Sequence, residues 1–436
     1  FNKFNLFLIN SKNRIMDLTG PIWYPYTQMQ TAREPLKIVS GEGVYIKDDQ
    51  GVDYIDAISS WWVNIHGHAN PAIAKAISEQ ALILEQVIFA GCTHEPAIKL
   101  ANELLRKCNM PNGKVYYSDN GSTAVEIAVK MAIQYFYNSD KPRTKILTWE
   151  NDFHGETFGA MSVSDQGGLN AAFTDLMFET IKIPIPKKPD DEETFDKISK
   201  IAAGNDIAAF IFEPLVQGAG GMVIYDAEIL EKTISIVKKS GAIIIADEVM
   251  TCFYRTGTFL ATDQINTKPD ILCLAKGLTG GFLPLSVTVC NDMIFQGFLS
   301  QEKKKALFHG HSYTANPLGC VAALASISLT EEPSFIENLE KIKTILRAKS
   351  LSYQTSYPIL NARYCGTIFA IDIPTKDEGY FSTQFNEINE YFLERNVFLR
   401  PLGNVLYIMP PLVISSEELH YIFQKIDDFI KTIIEM

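Results

Sequence analysis

From about Pro71 to Gly319, short apolar runs alternate with stretches whose apolar residues recur every three to four positions. The runs are Ile146–Trp149, Ala208–Phe212, Ala242–Ala246 and Ile271–Leu274. They are too short for buried helices and too uniformly apolar for strands with a wet face, so each predicts a strand buried on both sides. Strands alternating with helical patterns predict an α/β fold, a mainly parallel sheet flanked by helices. The chain ends read differently. Val44 to Ile55 alternates apolar and polar residues around Asp48-Asp49-Gln50-Gly51, which predicts a hairpin. Val397 to Met409 predicts a second hairpin, turning at Gly403-Asn404. A closing helix starts at Ser415-Ser416-Glu417-Glu418, a capping box, and puts Leu419, Ile422, Phe423, Ile426, Phe429 and Ile433 on one face.

This pattern predicts a large domain over residues 71–325 and a small α+β domain assembled from 16–70 and 326–436. Residues 1–15 are expected to be a disordered N-terminal extension with Met16 as the natural start, because their apolar patch is broken by asparagines and makes a poor secretory signal.

Composition narrows the class. With 436 residues, 47% hydrophobic and 21% charged, and no Ser/Pro-rich linker, the chain is an ordinary globular protein with a sizeable core. A net charge of −12 without a basic stripe argues against a nucleic-acid surface, and Lys303-Lys304-Lys305 is too short a run to supply one. No apolar stretch reaches the length of a membrane span. The seven cysteines (Cys92, Cys108, Cys252, Cys273, Cys290, Cys320 and Cys365) are odd in number and lack metal-type spacing, so a reduced, cytoplasmic compartment is expected. His66, His68 and His94 have no metal-like partners and read as structural.

Three places carry candidate chemistry. Lys276 ends the apolar run Ile271–Leu274 and precedes a glycine-rich stretch through Gly281. Such a lysine is either a solvated strand terminator or, if buried, an amine of lowered pKa that attacks a carbonyl. Asp247 ends the strand Gly241–Ala246, at the sheet edge where α/β folds bind ligands. A carboxylate there can hold the ring nitrogen of a pyridine cofactor protonated. Val115 to Thr123 reads strand, tight turn, helix, and the helix shows a polar stripe of Glu126, Lys130 and Gln134 on an otherwise apolar surface. Its bare amides, its dipole and the Ser122 hydroxyl would hold a phosphate, though an ordinary serine-capped helix looks the same. Taken together, the three features point to pyridoxal phosphate.

With these residues in place, the chain resembles the class III (omega) aminotransferases of the fold-type I pyridoxal-phosphate enzymes, from Ile22 to its C-terminus. The motifs are Trp23-Tyr24-Pro25-Tyr26-Thr27, Ser59-Ser60-Trp61-Trp62 with Ile65-His66-Gly67, Asp119-Asn120-Gly121-Ser122, His154 through Ser162, Gln217 through Met222, and Leu399-Arg400-Pro401-Leu402-Gly403. The resemblance is strongest to the branch working in biotin synthesis. It implies amino transfer to 8-amino-7-oxononanoate, giving 7,8-diaminononanoate, from S-adenosylmethionine or lysine in a two-stage ping-pong cycle. It also implies that Lys276 carries pyridoxal 5'-phosphate and moves the proton, that Asp247 pairs with the ring nitrogen, that Gly121 and Ser122 hold the phosphate, and that Phe153 stacks on the ring. Gly310, His311 and Ser312 are expected to reach the partner's phosphate in a homodimer with active sites at the interface. Trp61, Trp62 and Tyr26 would line an apolar slot for the acceptor, Arg400 would bind its carboxylate, and Arg255 would lie near the donor. For the tryptophan pair alone, plain core packing is the competing reading.

The sequence departs from the family at Phe153, where tyrosine is common, at Ser312, where threonine is usual, and at Cys252 and Tyr254, where glycine is typical. The lost phenol leaves the donor open between S-adenosylmethionine and lysine. His154 reads as a residue behind the site, since Lys276 already has the proton-transfer role. Three competing readings stand: another class III omega-aminotransferase acting on an acetylornithine-like or omega-amino acid substrate, a different pyridoxal-phosphate reaction such as an aminomutase, or a non-catalytic protein that keeps the fold. The presence of both Lys276 and Asp247 speaks against the last.

Overall fold

The computed structural model describes residues 20–165, 167–204, 206–375 and 385–434. The extension expected over residues 1–15 lies outside the described residues. A seven-stranded sheet occupies the middle, ordered Lys114–Ser118, Ser286–Cys290, Ile271–Leu274, Ile243–Asp247, Ile207–Phe212, Lys145–Trp149, Ile181–Ile183. The four strands expected from apolar runs are all present, shifted by a residue at most. They pair parallel with one another or through a shared neighbour, as continuous apolar runs require. Ile243, Ile244 and Ile245 are at most 1% exposed. Burying each of them contributes roughly 1.5–3 kcal/mol, so the centre of the sheet is its most rigid part.

Ser286–Cys290 is the reversed strand, antiparallel to both of its neighbours. The reason is local. Only residues 275–285 separate it from Ile271–Leu274, too few for the helical crossover that a parallel return needs. That short return carries Lys276. The helix Gly121–Asn138 packs its Ala124, Ile127 and Ala128 against Ile245, Ile271 and Cys273 beneath it.

A second, four-stranded sheet is ordered Ile38–Glu42, Tyr45–Asp48, Asp53–Asp56, Val397–Phe398, and so joins the two ends of the chain. The hairpin expected over Val44 to Ile55 is there, with Tyr45 opposite Ile55 and Lys47 opposite Asp53. Of the hairpin expected over Val397 to Met409 only the turn at Gly403-Asn404 forms, with Leu402 N donating to Val405 O at 2.9 Å and Val405 N to Leu402 O at 3.0 Å. Val397–Phe398 pairs parallel with Asp53–Asp56, whereas Val405–Ile408 pairs antiparallel with Ile368–Asp372 in a separate three-stranded sheet. Pro401 has no N–H to give a ladder, so the alternation on either side of it belongs to two different sheets. The closing helix, Ser416–Ile434, starts in the expected capping box: Ser415 N donates to Glu418 Oε2 at 2.8 Å, and Glu418 N donates to Ser415 Oγ at 3.2 Å. Among the described residues, no helix is long and apolar enough to cross a membrane.

Candidate active site

Parallel strands deliver their C-terminal ends to one edge, and on this sheet four of those ends bear polar groups. Asp247 closes its strand, Glu213 follows Phe212, Asp119 follows Ser118, and Lys276 lies two residues beyond Leu274. Asp247 stands level with Cys273 on the neighbouring strand, which puts the carboxylate and the lysine loop side by side. All four residues line one cavity of about 650 Å³. The sheet edge is where a doubly flanked parallel sheet leaves a crevice.

Lys276 is not a solvated terminator. Its side chain lies in the cavity with the ammonium 4.6 Å from the Trp62 ring centroid. Desolvation lowers its pKa below the ordinary lysine value, with the charges of Asp247 and Glu213 opposing the shift. Its backbone has φ +47°, left-handed for a residue with a side chain. That conformation costs about 1–3 kcal/mol and is held by its surroundings. Ser326 Oγ donates to the next carbonyl, Gly277 O, at 3.2 Å, and His66 Nε2 lies 3.1 Å from the same hydroxyl. Burial pushes His66 down to about 4, so it serves there as a neutral imidazole.

Behind Asp247 lies a chain of buried polar groups. Asp247 Oδ1 accepts from Val249 N at 3.0 Å, and its Oδ2 is 2.8 Å from His154 Nδ1. The other ring nitrogen faces Asp152 Oδ2 at 3.4 Å, and Asp152 in turn accepts from Gln217 Nε2 at 2.7 Å and from Glu213 N at 3.2 Å. Burial opposes a charge on His154, yet hydrogen bonds to Asp152 and Asp247 outweigh it and push the imidazole up to about 10. The result is a buried imidazolium whose Nδ1–H anchors the Asp247 side chain at the cavity edge. Burial pushes Glu213 up to about 8, with the Asp152 charge adding to the effect. Glu213 clamps two walls of the cavity, accepting from Phe153 N at 2.9 Å and from Gly218 N at 3.0 Å.

The imidazolium has a pH consequence. A histidine whose pKa rises from 6.5 to about 10 on folding stabilises the fold fully below pH 6.5, and that stability is lost as pH climbs toward 10. Cofactor-free protein is expected to lose thermal stability between pH 7 and pH 10, and His154→Asn to flatten that slope. Calorimetry of both proteins across this range checks it; parallel slopes would contradict the charge assignment.

On the opposite side, the helix Gly121–Asn138 opens onto the cavity. Asn120 caps it, its Oδ1 accepting from Thr123 N at 3.0 Å. Ser122 is therefore not the cap. Its hydroxyl accepts from Glu156 N at 3.0 Å, which leaves its own proton to donate to an anion. Two glycines keep the approach bare: a Cβ on Gly155 would strike Ser122 Oγ at 2.1 Å, and one on Gly121 would meet Val249 Cγ1 at 2.7 Å.

Trp61 and Trp62 form one wall of the cavity, at the end of the segment Ser59-Ser60-Trp61-Trp62. Its backbone is strained, with φ +52° at Ser59, +60° at Ser60 and +70° at Trp62. Each such residue costs about 1–3 kcal/mol, a load that persists only under tight constraint. Trp62 is buried and donates from Nε1 to Tyr407 Oη at 2.9 Å, whereas Trp61 is 44% exposed at the cavity. Core packing thus describes Trp62 in part and Trp61 not at all. The Arg400 guanidinium sits 5.5 Å from the Trp61 ring centroid, and Tyr26 meets that ring edge-on at 5.5 Å while its hydroxyl donates to Glu156.

The structure brings Tyr26, Trp61, Trp62, Gly121, Ser122, Phe153, Asp247, Lys276 and Arg400 to one cavity. It does not bring Arg255 there. That side chain is 1% exposed and donates from Nη1 to Pro410 O at 2.7 Å, beneath the wall rather than on it. Gly310, His311 and Ser312 also do not line this chain's cavity; Ser312 is exposed. Sequence reasoning missed Glu213, Asp152 and Tyr407. Glu213 had the signal that marks Asp247, a carboxylate just after a buried strand; Asp152 and Tyr407 had none.

The residues fit a planar phosphorylated pyridine aldehyde: an amine for the aldehyde, a carboxylate for the ring nitrogen, and a bare helix N-terminus with a hydroxyl for the phosphate. Comparisons agree. The class III aminotransferase family profile matches residues 26–430. The adenosylmethionine-8-amino-7-oxononanoate aminotransferase of Synechococcus elongatus is 43% identical, the match covering 94% of this chain and 99% of the relative. The crystal structure of the Methanocaldococcus jannaschii protein of that name superposes with a TM-score of 0.88 at 34% identity, covering 95% of this chain and 97% of that one. An amine transaminase from an uncultivated Pseudomonas species, in its pyridoxal-phosphate-bound form, gives 0.86 at 29% identity, covering 94% of this chain and 98% of its own.

Proposed function

Because this chain belongs to the class III aminotransferases, which depend on pyridoxal phosphate, we propose that it converts 8-amino-7-oxononanoate to 7,8-diaminononanoate in biotin synthesis with S-adenosylmethionine as donor. One observation carries the substrate reading beyond the family: an apolar wall of Trp61 and Trp62 adjoins the Arg400 cation in the cavity that holds Lys276 and Asp247. A nine-carbon oxo acid needs both features, an apolar track for its chain and a distant cation for its carboxylate.

Lys276 is the group that moves the proton. Burial lowers its pKa, so the amine gives up its proton more readily than an ordinary lysine. Bound pyridoxal phosphate supplies the electron sink that makes the donor carbon acidic. Asp247, fixed by His154 and Val249 N, would keep the ring nitrogen's proton in place. Gly121 and Ser122 would hold its phosphate and Phe153 would lie beside its ring, while Glu213 sets the position of Phe153 through its backbone N–H. Trp61, Trp62 and Tyr26 exclude water from the acceptor chain. Arg255 acts on the donor only indirectly, through the wall above it.

Gly310, His311 and Ser312 belong, in this reading, to the partner's site in a homodimer. Phe308 at 68% and Tyr313 at 66% exposure flank that loop, and apolar aromatics left in water suit a subunit interface. We place the enzyme in the cytoplasm, where its seven free cysteines stay reduced.

The test is a coupled assay on cofactor-loaded protein given 8-amino-7-oxononanoate and either S-adenosylmethionine or lysine. Diaminononanoate is expected with S-adenosylmethionine. Product with lysine alone would transfer the donor assignment to lysine, in line with the phenol missing at Phe153. Absence of product with both, from protein showing the bound cofactor's absorbance, would overturn the substrate assignment.

A further inference from the structure

We propose that His68 and Asp56 form a clamp that holds the strained tryptophan wall in place and so determines how tightly the acceptor binds. The inference rests on the acceptor reading above. Asp56 is fully buried and points its carboxylate into the turn it precedes. Oδ2 accepts from Ser60 N at 2.6 Å and from Ser60 Oγ at 3.3 Å, and Oδ1 accepts from Ile58 N at 3.2 Å. These are the bonds that bend the chain into the left-handed conformations at Ser59 and Ser60. The same Oδ2 accepts from His68 Nε2 at 2.9 Å.

The imidazole is itself fixed. Asn64 Nδ2 donates to His68 Nδ1 at 3.4 Å, which assigns the ring proton to Nε2, where it bonds Asp56. His68 N donates to Gly43 O at 2.7 Å, and Gly41 lies so close that a Cβ there would be 2.7 Å from the His68 Cβ. The strand Ile38–Glu42 and its turn therefore back the ring. Asn64 also abuts Gly281 of the lysine loop, whose Cβ would meet its Oδ1 at 2.8 Å. From the far side, Ser59 Oγ donates to Met409 O at 2.8 Å, and Tyr407 holds Trp62. The wall is thus pinned from two directions, and Asp56 is the pin on the exposed Trp61 side.

Without the His68 N–H, a buried carboxylate loses its charge-assisted partner and its hold on Ser60 N weakens. Ser60, at φ +60° and ψ −87°, is then freer to relax toward ordinary backbone geometry, and Trp61 turns with it. The acceptor loses its apolar track while Lys276 and Asp247 stay where they are. His68 and Asp56 are positioning residues, since neither lines the cavity.

The experiment uses holoenzyme, wild type first, so that failure of wild type to aminate 8-amino-7-oxononanoate reports on the substrate assignment and not on the clamp. His68→Leu is expected to raise KM for the acceptor about tenfold, the equivalent of one charge-assisted hydrogen bond, with kcat and the visible absorbance of the Lys276-bound cofactor unchanged. His68→Gln, which restores an N–H toward Asp56, is expected to return KM to within about threefold of wild type. Asp56→Asn, isosteric but able to serve only one of its two sides, is expected to shift KM in the same direction as His68→Leu and carries the test if that variant does not fold. Unchanged acceptor KM in either variant, loss of the cofactor band together with activity, or no rescue by glutamine would each overturn the clamp.

Discussion

Replacing Lys276 with alanine is expected to lower turnover by at least about 10²- to 10⁴-fold, the range contributed by one positioned acid–base group, because no other group in the cavity can take over its two tasks. Among the described residues the amine is the cavity's only lysine, and Glu213, also on its lining, is committed to the N–H groups of Phe153 and Gly218. Lys276→Arg separates the tasks: it keeps a cation near Trp62 but cannot shed its proton or join covalently to an aldehyde, so it is expected to be as inactive as alanine. Borohydride treatment followed by mass spectrometry supplies the second readout. Wild type should retain the cofactor permanently and both variants should lose it on denaturation. An alanine variant within tenfold of wild-type turnover would remove Lys276 from the mechanism.

The positions of Lys276 and Asp247 were legible in the sequence for a physical reason. A strand buried on both faces shows as an uninterrupted apolar run, so a charged residue at its end is conspicuous and its place on the sheet edge follows from the parallel topology. Glu213 obeys the same logic after Ile207–Phe212. The wall was legible only through the family resemblance, because its geometry depends on contacts between distant segments: Asp56 with His68, Ser59 with Met409, Trp62 with Tyr407. No local propensity places two serines and a tryptophan at positive φ. Arg255 stands apart from the lining residues. The family resemblance puts it near the donor, whereas beyond the turn at Phe253 and Tyr254, with φ +54° and +69°, its guanidinium is buried and bonds Pro410 O. The expected second hairpin kept its turn at Gly403-Asn404 but not its strand pairing, since turn chemistry and alternation are local signals and the choice of sheet is not.

The second large effect is expected at Asp247, where asparagine keeps the shape and removes the charge. Turnover should fall by about 10²- to 10³-fold, comparable to the loss of one preorganised electrostatic partner, because the ring nitrogen of bound cofactor no longer has an anion to keep its proton. Stability should fall as well. The variant leaves the His154 imidazolium with Asp152 alone, at 3.4 Å, and a buried ion pair broken on one side typically costs 3–5 kcal/mol. These two losses have different origins and can be separated. In the double variant Asp247→Asn, His154→Asn the buried cation is gone, so part of the stability should return, Asp152 now lacking its own cationic partner, while turnover stays low because the carboxylate is still missing. Thermal unfolding of cofactor-free protein measures the first and steady-state kinetics the second. Recovery of turnover in the double variant would mean that the imidazolium, and not the carboxylate, had been setting the cofactor's protonation; turnover of Asp247→Asn within tenfold of wild type would show that the ring nitrogen needs no anion here.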